Sequence, residues 1–350
     1  MTVNHQFFRW LSPYMTVNHQ FFRWWSPYRT VNHQFFSKSP VLPVVEHLHD
    51  SKSTGLQRTT ERPTAYDLTV VTLYIPLGTF LKGFGKTYRT KDNYRTWMHT
   101  WAWLTNKVVA FFADSDDMEY FRKLRSAQPA DRTVLIKVER SQLNAFKDYD
   151  KIRDIYSRPK YPKYQPNTVN ANYSCTMNAK FDALQMTMDL GHVSTEFMAW
   201  LDIGALRNML KLNRKNETFS LEVPQAFNDS RIGFAEVAPH SRLVNASPWD
   251  YIQKNHIWVS GSCLIGSKKV VQKFITSYKK TVQALLASNM SSTDEQVYGA
   301  MYSPQFRKDQ KVGIAVYTCK DGDYGLHGSD ALWFCLPYVA KEAAELRSKN

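Results

Sequence analysis

Five small constellations in this 350-residue chain combine residue types that do chemistry. Asp202 follows the apolar run Thr195–Leu201 and leads into Ile203-Gly204. Asp294 and Glu295 are adjacent in Ser291-Ser292-Thr293-Asp294-Glu295-Gln296. Asp114, Asp116 and Asp117 cluster after the apolar stretch Lys107–Phe112. Lys180 and Asp182 sit two apart, and His327 stands alone in Gly325-Leu326-His327-Gly328. A carboxylate at a strand end can hold a divalent cation against phosphates. A carboxylate near a cleft, its pKa raised, can take a proton from a hydroxyl. An ammonium can meet a phosphate, and an imidazole can ligate a metal.

Each constellation also has a plain structural reading. Acids in the first turn of a helix are favoured by the free N–H groups and the macrodipole, which applies to Asp294, Glu295 and the Asp114 cluster alike. Asp202 can bond its own turn. Lys180 and Asp182 point in different directions if helical, so only one need face a cleft. A lone loop histidine is an ordinary exposed residue. Of the aromatic set Tyr94, Trp97, Trp101 and Trp103, some members could stack on a sugar, but most of such a stripe belongs in a core.

The elements that must carry these residues read as an alternation. Asp67–Leu77 is a nearly continuous β-branched and apolar run, the pattern of a strand buried on both faces. Lys107–Phe112, Arg132–Val138 and Thr195–Leu201 give further strands, with shorter ones at Arg231–Val237 and Ile257–Ile265. Between them, Tyr94–Thr105, Met118–Ser126, Gln142–Tyr156, Ser174–Leu190 and Ser267–Ser288 have helical character. This order predicts an α/β fold with a mainly parallel, doubly wound sheet whose ligand sits beyond the carboxyl ends of the strands.

Ahead of this region, Thr2–Phe8 recurs at Thr16–Phe22 and Thr30–Phe36. Residues 1–40 therefore hold a three-copy repeat, read as disordered and as the product of tandem duplication. Its units are too short for a stacked solenoid and each carries Ser-Pro. The alternative is a repeated aromatic and basic docking motif. His5, His19 and His33 recur by copying alone. Residues 41–65 turn to Ser, Thr, Pro and charge and read as a linker, leaving 66–350 as one folded domain.

Composition narrows the class. With 43% apolar and 14% aromatic residues, the chain can bury a large core. The formal charge is +14, and the first 65 residues contain only 7 of the Lys/Arg and 3 of the Asp/Glu, so the excess is spread along the chain. That balance favours anionic partners, but the basic residues lie among acids with no nucleic-acid-binding motif, so nucleic acid is not expected. Cys175, Cys263, Cys319 and Cys335 form no Cys-x-x-Cys pair, which argues against structural zinc and leaves their redox state open. Five Asn-x-Ser/Thr triplets, at Asn172, Asn216, Asn228, Asn245 and Asn289, permit a secretory setting without requiring one. No apolar run is long enough for a transmembrane helix or a leader h-region, so the chain as written reads as soluble, with its compartment undetermined. P-loop, dinucleotide and serine-hydrolase signatures are absent.

Three features carry a family resemblance. Tyr161-Pro-Lys-Tyr164 is followed by Lys180-Phe181-Asp182; Trp200-Leu201-Asp202-Ile203-Gly204 closes a strand; and the glycine-flanked Ser260–Ser267 precedes Thr293-Asp294-Glu295-Gln296. In order and spacing these resemble the HtrL/YibB family, over roughly residues 67–302. Ile203 stands where that family usually has Ala.

The resemblance implies a GT-A-like glycosyltransferase fold: a nucleotide-sugar donor, a glycan or other hydroxyl acceptor, and a divalent cation, Mn or Mg. On that reading Asp202 and His327 are metal ligands, Asp294 and Glu295 catalytic, and Asp114, Lys180 and Asp182 donor-binding. Glycosyltransferases of this fold usually offer Asp-x-Asp, whereas here Gly204 takes the third position. The alternative is a relative that keeps the fold but only binds a glycan or protein partner.

Overall fold

The computed structural model describes residues 44–47, 65–83, 87–211 and 217–349, with 44–47 described as backbone only. The repeat at 1–40, and all of the expected linker except that strand and Ala65, lie outside the described residues. Ten strands are present among the described residues: β1 Val44–His47, β2 Leu68–Tyr74, β3 Phe80–Leu81, β4 Tyr88–Arg89, β5 Val108–Phe112, β6 Thr133–Lys137, β7 Phe197–Leu201, β8 Arg231–Glu236, β9 Val259–Ser267 and β10 Gly313–Tyr317. Eight of them form one sheet in the order β1-β6-β5-β2-β7-β9-β8-β10, and β3 pairs with β4 in a small ribbon.

The sheet is mainly parallel. The β2–β5, β2–β7, β5–β6 and β8–β10 pairs are parallel, while β9 runs antiparallel to both β7 and β8, and β1 antiparallel to β6. Strand β1 falls inside the segment expected to be linker. The composition of residues 41–65 hides the short run Val44-Val45-Glu46-His47, which pairs along Val134–Lys137.

Strand alternation sorts the core into two layers. On β2, Val71 and Leu73 belong to one apolar cluster and Leu68, Val70 and Tyr74 to the other. The split repeats on β5 (Val109 and Phe111 against Val108, Ala110 and Phe112) and on β7 (Met198 and Trp200 against Ala199 and Leu201). Both faces being covered explains why these strands read as unbroken apolar runs. The first layer holds the 20-residue helix Lys268–Ala287, which buries Val270, Val271, Phe274, Ile275 and Tyr278 at helical spacing, together with helices Lys180–Asp189 and Asp294–Met301. The second layer holds helices Lys91–Met98, Ser115–Leu124 and Cys335–Arg347.

The expected helix Ser174–Leu190 is two helices, Ala171–Asn178 and Lys180–Asp189, meeting at Ala179. Strand β10 and helix Cys335–Arg347 were not foreseen. Cys319 and Cys335 are joined by a disulfide that closes the segment between them, and Cys175 and Cys263 are free and buried.

Candidate functional site

From β2 the chain fills one side of the sheet, through β5 and β6, and then crosses to the other side to form β7. The strand order therefore changes direction between β2 and β7, and a crevice opens beyond their carboxyl ends. A cleft of about 470 Å³ lies there. Its walls include the end of β2 (Leu73, Tyr74), the end of β7 with Asp202, the β9 serines Ser260 and Ser262, and Glu295 from the start of helix Asp294–Met301. A hollow of about 530 Å³ elsewhere, lined by residues such as Tyr149, Arg153 and Tyr156, contains no carboxylate. The cleft at the switch point is where the chemistry gathers.

Beneath its floor is a buried ionic network. Lys180, 1% exposed, donates to Asp294 Oδ2 and to the Gly261 carbonyl, each at 2.7 Å. Its ammonium is 3.8 Å from Asp202 Oδ1 and 5.3 Å from the centroid of the Trp200 ring. Asp294, equally buried, also accepts from the Tyr298 hydroxyl at 3.1 Å. Asp202 accepts from Trp200 Nε1 at 2.7 Å, and its backbone N–H is tied to the Ser262 carbonyl of β9. The reversed strand thus supplies a main-chain acceptor to Lys180 and a main-chain anchor to Asp202.

Burial and neighbouring charge set the protonation of this network. Burial alone would lower the Lys180 ammonium, but the charges of Asp294 and Asp202 outweigh it and leave the pKa raised, so the lysine stays charged. Burial raises Asp202 against the opposing pull of Lys180, with Asp294 adding to the rise. Glu295 is pushed up to about 7, first by burial and then by the charge of Asp294. Its carboxylate is partly exposed to the cleft, and the Gly261 N–H approaches Oε1 at 3.4 Å, a long and weak bond.

The candidate residues part company here. Asp202 and Glu295 line the cleft, and Lys180 and Asp294 lie together directly beneath it. Lys180 is therefore not an exposed phosphate ligand; it is buried, with two hydrogen bonds to Asp294 and Gly261 and the Asp202 carboxylate 3.8 Å away. Asp182 faces the other way, where it accepts from the Ala145 N–H at 2.9 Å and pairs with Lys279 at 2.7 Å. It takes no part in the cleft, because two residues of helix turn it onto the opposite side of Lys180.

Asp114 is a helix cap. Its carboxylate accepts from the N–H groups of Asp116 and Asp117 at 2.9 and 3.1 Å, and although burial works to raise its pKa, these bonds and Lys91 hold it low. Asp117 is buried and paired with Arg95 and Lys91. His327 is 75% exposed in a loop, 3.9 Å from Asp321, and does not line the cleft.

The divalent cation expected from Asp202 and His327 does not fit this arrangement. The two residues do not share the cleft, and no group of three or more His, Cys, Asp or Glu placed to hold a metal occurs among the described residues. The Lys180 ammonium already stands beside the Asp202 carboxylate, where it would repel a second cation.

Several cleft residues escaped the sequence reading. Lys82, Arg89, Lys91 and Arg207 put cations on its walls. Of the aromatic set, Tyr94 and Trp97 line the cleft, whereas Trp101 is fully buried and donates to the Ile203 carbonyl at 3.0 Å. The C-terminal segment contributes Ser329, Asp330, Trp333 and Phe334. It is fastened by the hydroxyls of Ser260 and Ser262, which donate to the Trp333 carbonyl at 2.8 and 2.6 Å, and by Asp330, which pairs with Arg207 at 2.8 Å. A local signal existed for Arg207 alone, a cation just past the strand-ending aspartate.

Residues 66–308 match the family model described as "Bacterial protein of unknown function (HtrL_YibB)". The chain is also similar to Protein HtrL of Escherichia coli (strain K12), at 21% identity over 246 residues that cover 67% of this chain and 83% of that protein. The matched region contains Asp202, Asp294 and Glu295 and ends before the disulfide-closed segment.

Proposed function

The chain belongs to the HtrL/YibB family, and from that premise we propose that it is a GT-A-like glycosyltransferase, moving a sugar from a nucleotide-diphosphate donor to a hydroxyl on a glycan or other acceptor. One observation carries the reading: two carboxylates with different surroundings, Asp202 and Glu295, on the wall of a cleft of about 470 Å³ at the switch point of a mainly parallel sheet. The mainly parallel α/β sheet supports a nucleotide-binding cleft at its switch point.

In this reading Glu295 is the general base. With its pKa pushed up to about 7, it is matched to accepting the proton of a hydroxyl at neutral pH. As the acceptor oxygen bonds to the anomeric carbon, the bond from that carbon to the diphosphate breaks and the nucleoside diphosphate leaves with the electron pair. Asp202, held by Trp200 and faced by Lys180, is placed to orient sugar hydroxyls. Asp294 stays buried; it anchors Lys180 and its charge keeps Glu295 weakly acidic. Tyr94 and Trp333 offer flat apolar surface for a sugar or base. The Cys319–Cys335 disulfide supports an oxidising compartment.

A non-catalytic binder is the second reading. It is favoured by the engagement of Asp202 Oδ1 by Trp200 and Lys180, which leaves that carboxylate partly satisfied without any ligand.

Release of nucleoside diphosphate from a panel of nucleotide-diphosphate sugars, with mixed glycan acceptors, separates the two. We expect turnover of one donor, with Glu295→Gln lowering kcat by roughly 10²–10⁴-fold. Donor binding without turnover across the panel would support the binder, and wild-type turnover by Glu295→Gln would remove Glu295 from the mechanism.

A further inference from the structure

Beside the two carboxylates the cleft carries an arrangement of cations that the mechanism above does not use. The indole of Trp97 has the Arg89 guanidinium 4.9 Å from its ring centroid and the Arg207 guanidinium 5.5 Å from the same centroid, and all three residues line the cleft. Arg207 is stacked a second time, 4.1 Å from the Phe334 ring centroid, and is held by Asp330 at 2.8 Å. Asp330 is itself steadied by Asn208 Nδ2 at 3.0 Å. Stacking and pairing fix the plane of Arg207, so its donors are pre-aimed.

Arg89 has no carboxylate within ion-pair distance among the described residues, and its charge works against that of Arg207. Of the two guanidiniums on this ring only Arg207 has an acid paired with it, Asp330, so the two cations repel each other inside a concave site. The fold bears that repulsion without an internal reason, and an anion would relieve it.

Trp97 also accounts for the missing second acid of Asp-x-Asp. A Cβ on Gly204 would stand 2.6 Å from Cε3 of Trp97, so the indole occupies the space that any side chain at 204 would need. Where a carboxylate would sit, the fold has placed the ring that supports two arginines.

We propose that Arg89 and Arg207, mounted on Trp97, form a phosphoryl-binding clamp that neutralises a diphosphate without a metal ion. The clamp rests on the transferase reading only for its biological ligand; the phosphoryl chemistry follows from the two planar forks, each suited to bidentate bonding with phosphate oxygens. In sugar transfer the diphosphate would depart carrying its charge onto these donors, so no proton or metal is needed at the leaving oxygen.

The test is calorimetric titration of the full chain with inorganic pyrophosphate, once in EDTA and once in manganese. We expect binding of equal affinity in both. Arg89→Gln should weaken it about tenfold to a hundredfold, the value of a charge-assisted hydrogen bond. Arg89→Lys, which keeps the charge and loses the fork, should fall in between. Arg89 has no ion pair to lose among the described residues, so these variants should fold, whereas Arg207→Gln also releases Asp330 and serves as a second check. Binding that appears only with manganese, is abolished by Asp202→Asn and is unaffected by Arg89→Gln would overturn the clamp; so would no binding in either buffer. The clamp and the transferase reading fail separately. Metal-independent pyrophosphate binding with no turnover of any donor sinks the transferase and keeps the clamp. Manganese-dependent transfer at wild-type rate by Arg89→Gln does the reverse.

Discussion

Asp294 and Glu295 are neighbours in sequence with opposite fates. The first is spent on Lys180 and Tyr298 in the interior; the second reaches the cleft. Sequence marks both as first-turn acids and offers no means of telling them apart, because the partner that buries Asp294 lies 114 residues away. For the same reason Lys180 reads as a free cation until the fold supplies its acids, while the capping role of Asp114 was legible from its place at a strand end before a helix.

The raised pKa of Glu295 has a thermodynamic consequence. Its folded value, about 7, exceeds that of an exposed glutamate, so its stabilising contribution is fully present below the ordinary carboxylate range and is lost as pH rises through about 7. Ionised Glu295 beside Asp294 therefore strains the fold at alkaline pH. Glu295→Gln should melt a few degrees above wild type at pH 8, with the difference closing by pH 5, as read by thermal unfolding at both values. Equal melting temperatures at pH 8 would mean that the carboxyl titrates normally and is not tuned toward neutral pH as a base. The transfer rate itself should rise through the same pH range, since the base must be ionised to work.

Among the elements, the central strands were legible because burial on both faces demands unbroken apolar runs. Asp67–Leu77, Lys107–Phe112 and Arg132–Val138 contain β2, β5 and β6, although the first runs on past Tyr74 to Leu77. Strand β10 escaped notice because it is half exposed at the sheet edge, with Gly313 and Val316 open to solvent, and its pattern differs little from that of a loop. The direction of β9 was not legible either, since antiparallel pairing leaves no mark on a strand that is buried throughout.

That reversed strand fits its place through glycine. A Cβ on Gly261 would lie 2.0 Å from Asp294 Oδ2 and 3.1 Å from Lys180 Nζ, so β9 can pass the buried pair only without a side chain there. Gly261→Ala should cost roughly 1–3 kcal/mol in urea unfolding, as overpacked cores do. It should also disturb the Lys180–Asp294 contact and with it the cleft floor. Unchanged stability would show that the network has room to move.

Over the whole molecule, what remained hidden is which segments meet. The mainly parallel α/β class and the switch-point rule directed attention to the carboxyl ends of the strands, and two of the named acids lie there. The rule does not say that a segment beyond residue 319, joined back by Cys319–Cys335, would close one wall and bring Asp330 to Arg207. It also could not exclude His327, which stands two residues before the cleft-lining Ser329 while its own side chain is 75% exposed. Such contacts depend on the path of the chain, and residue spacing does not record that path.

The central claim is that a nucleoside diphosphate occupies the cleft between β2 and β7. Photolabelling with a nucleoside diphosphate that carries an azido group on its base, followed by peptide mapping, tests it most directly. Label should fall on the peptides bearing Tyr74, Tyr94, Trp97 or Trp333 and be displaced by the unmodified nucleotide. Displaceable label on Tyr149, Arg153 or Tyr156, in the hollow without carboxylates, would contradict the account.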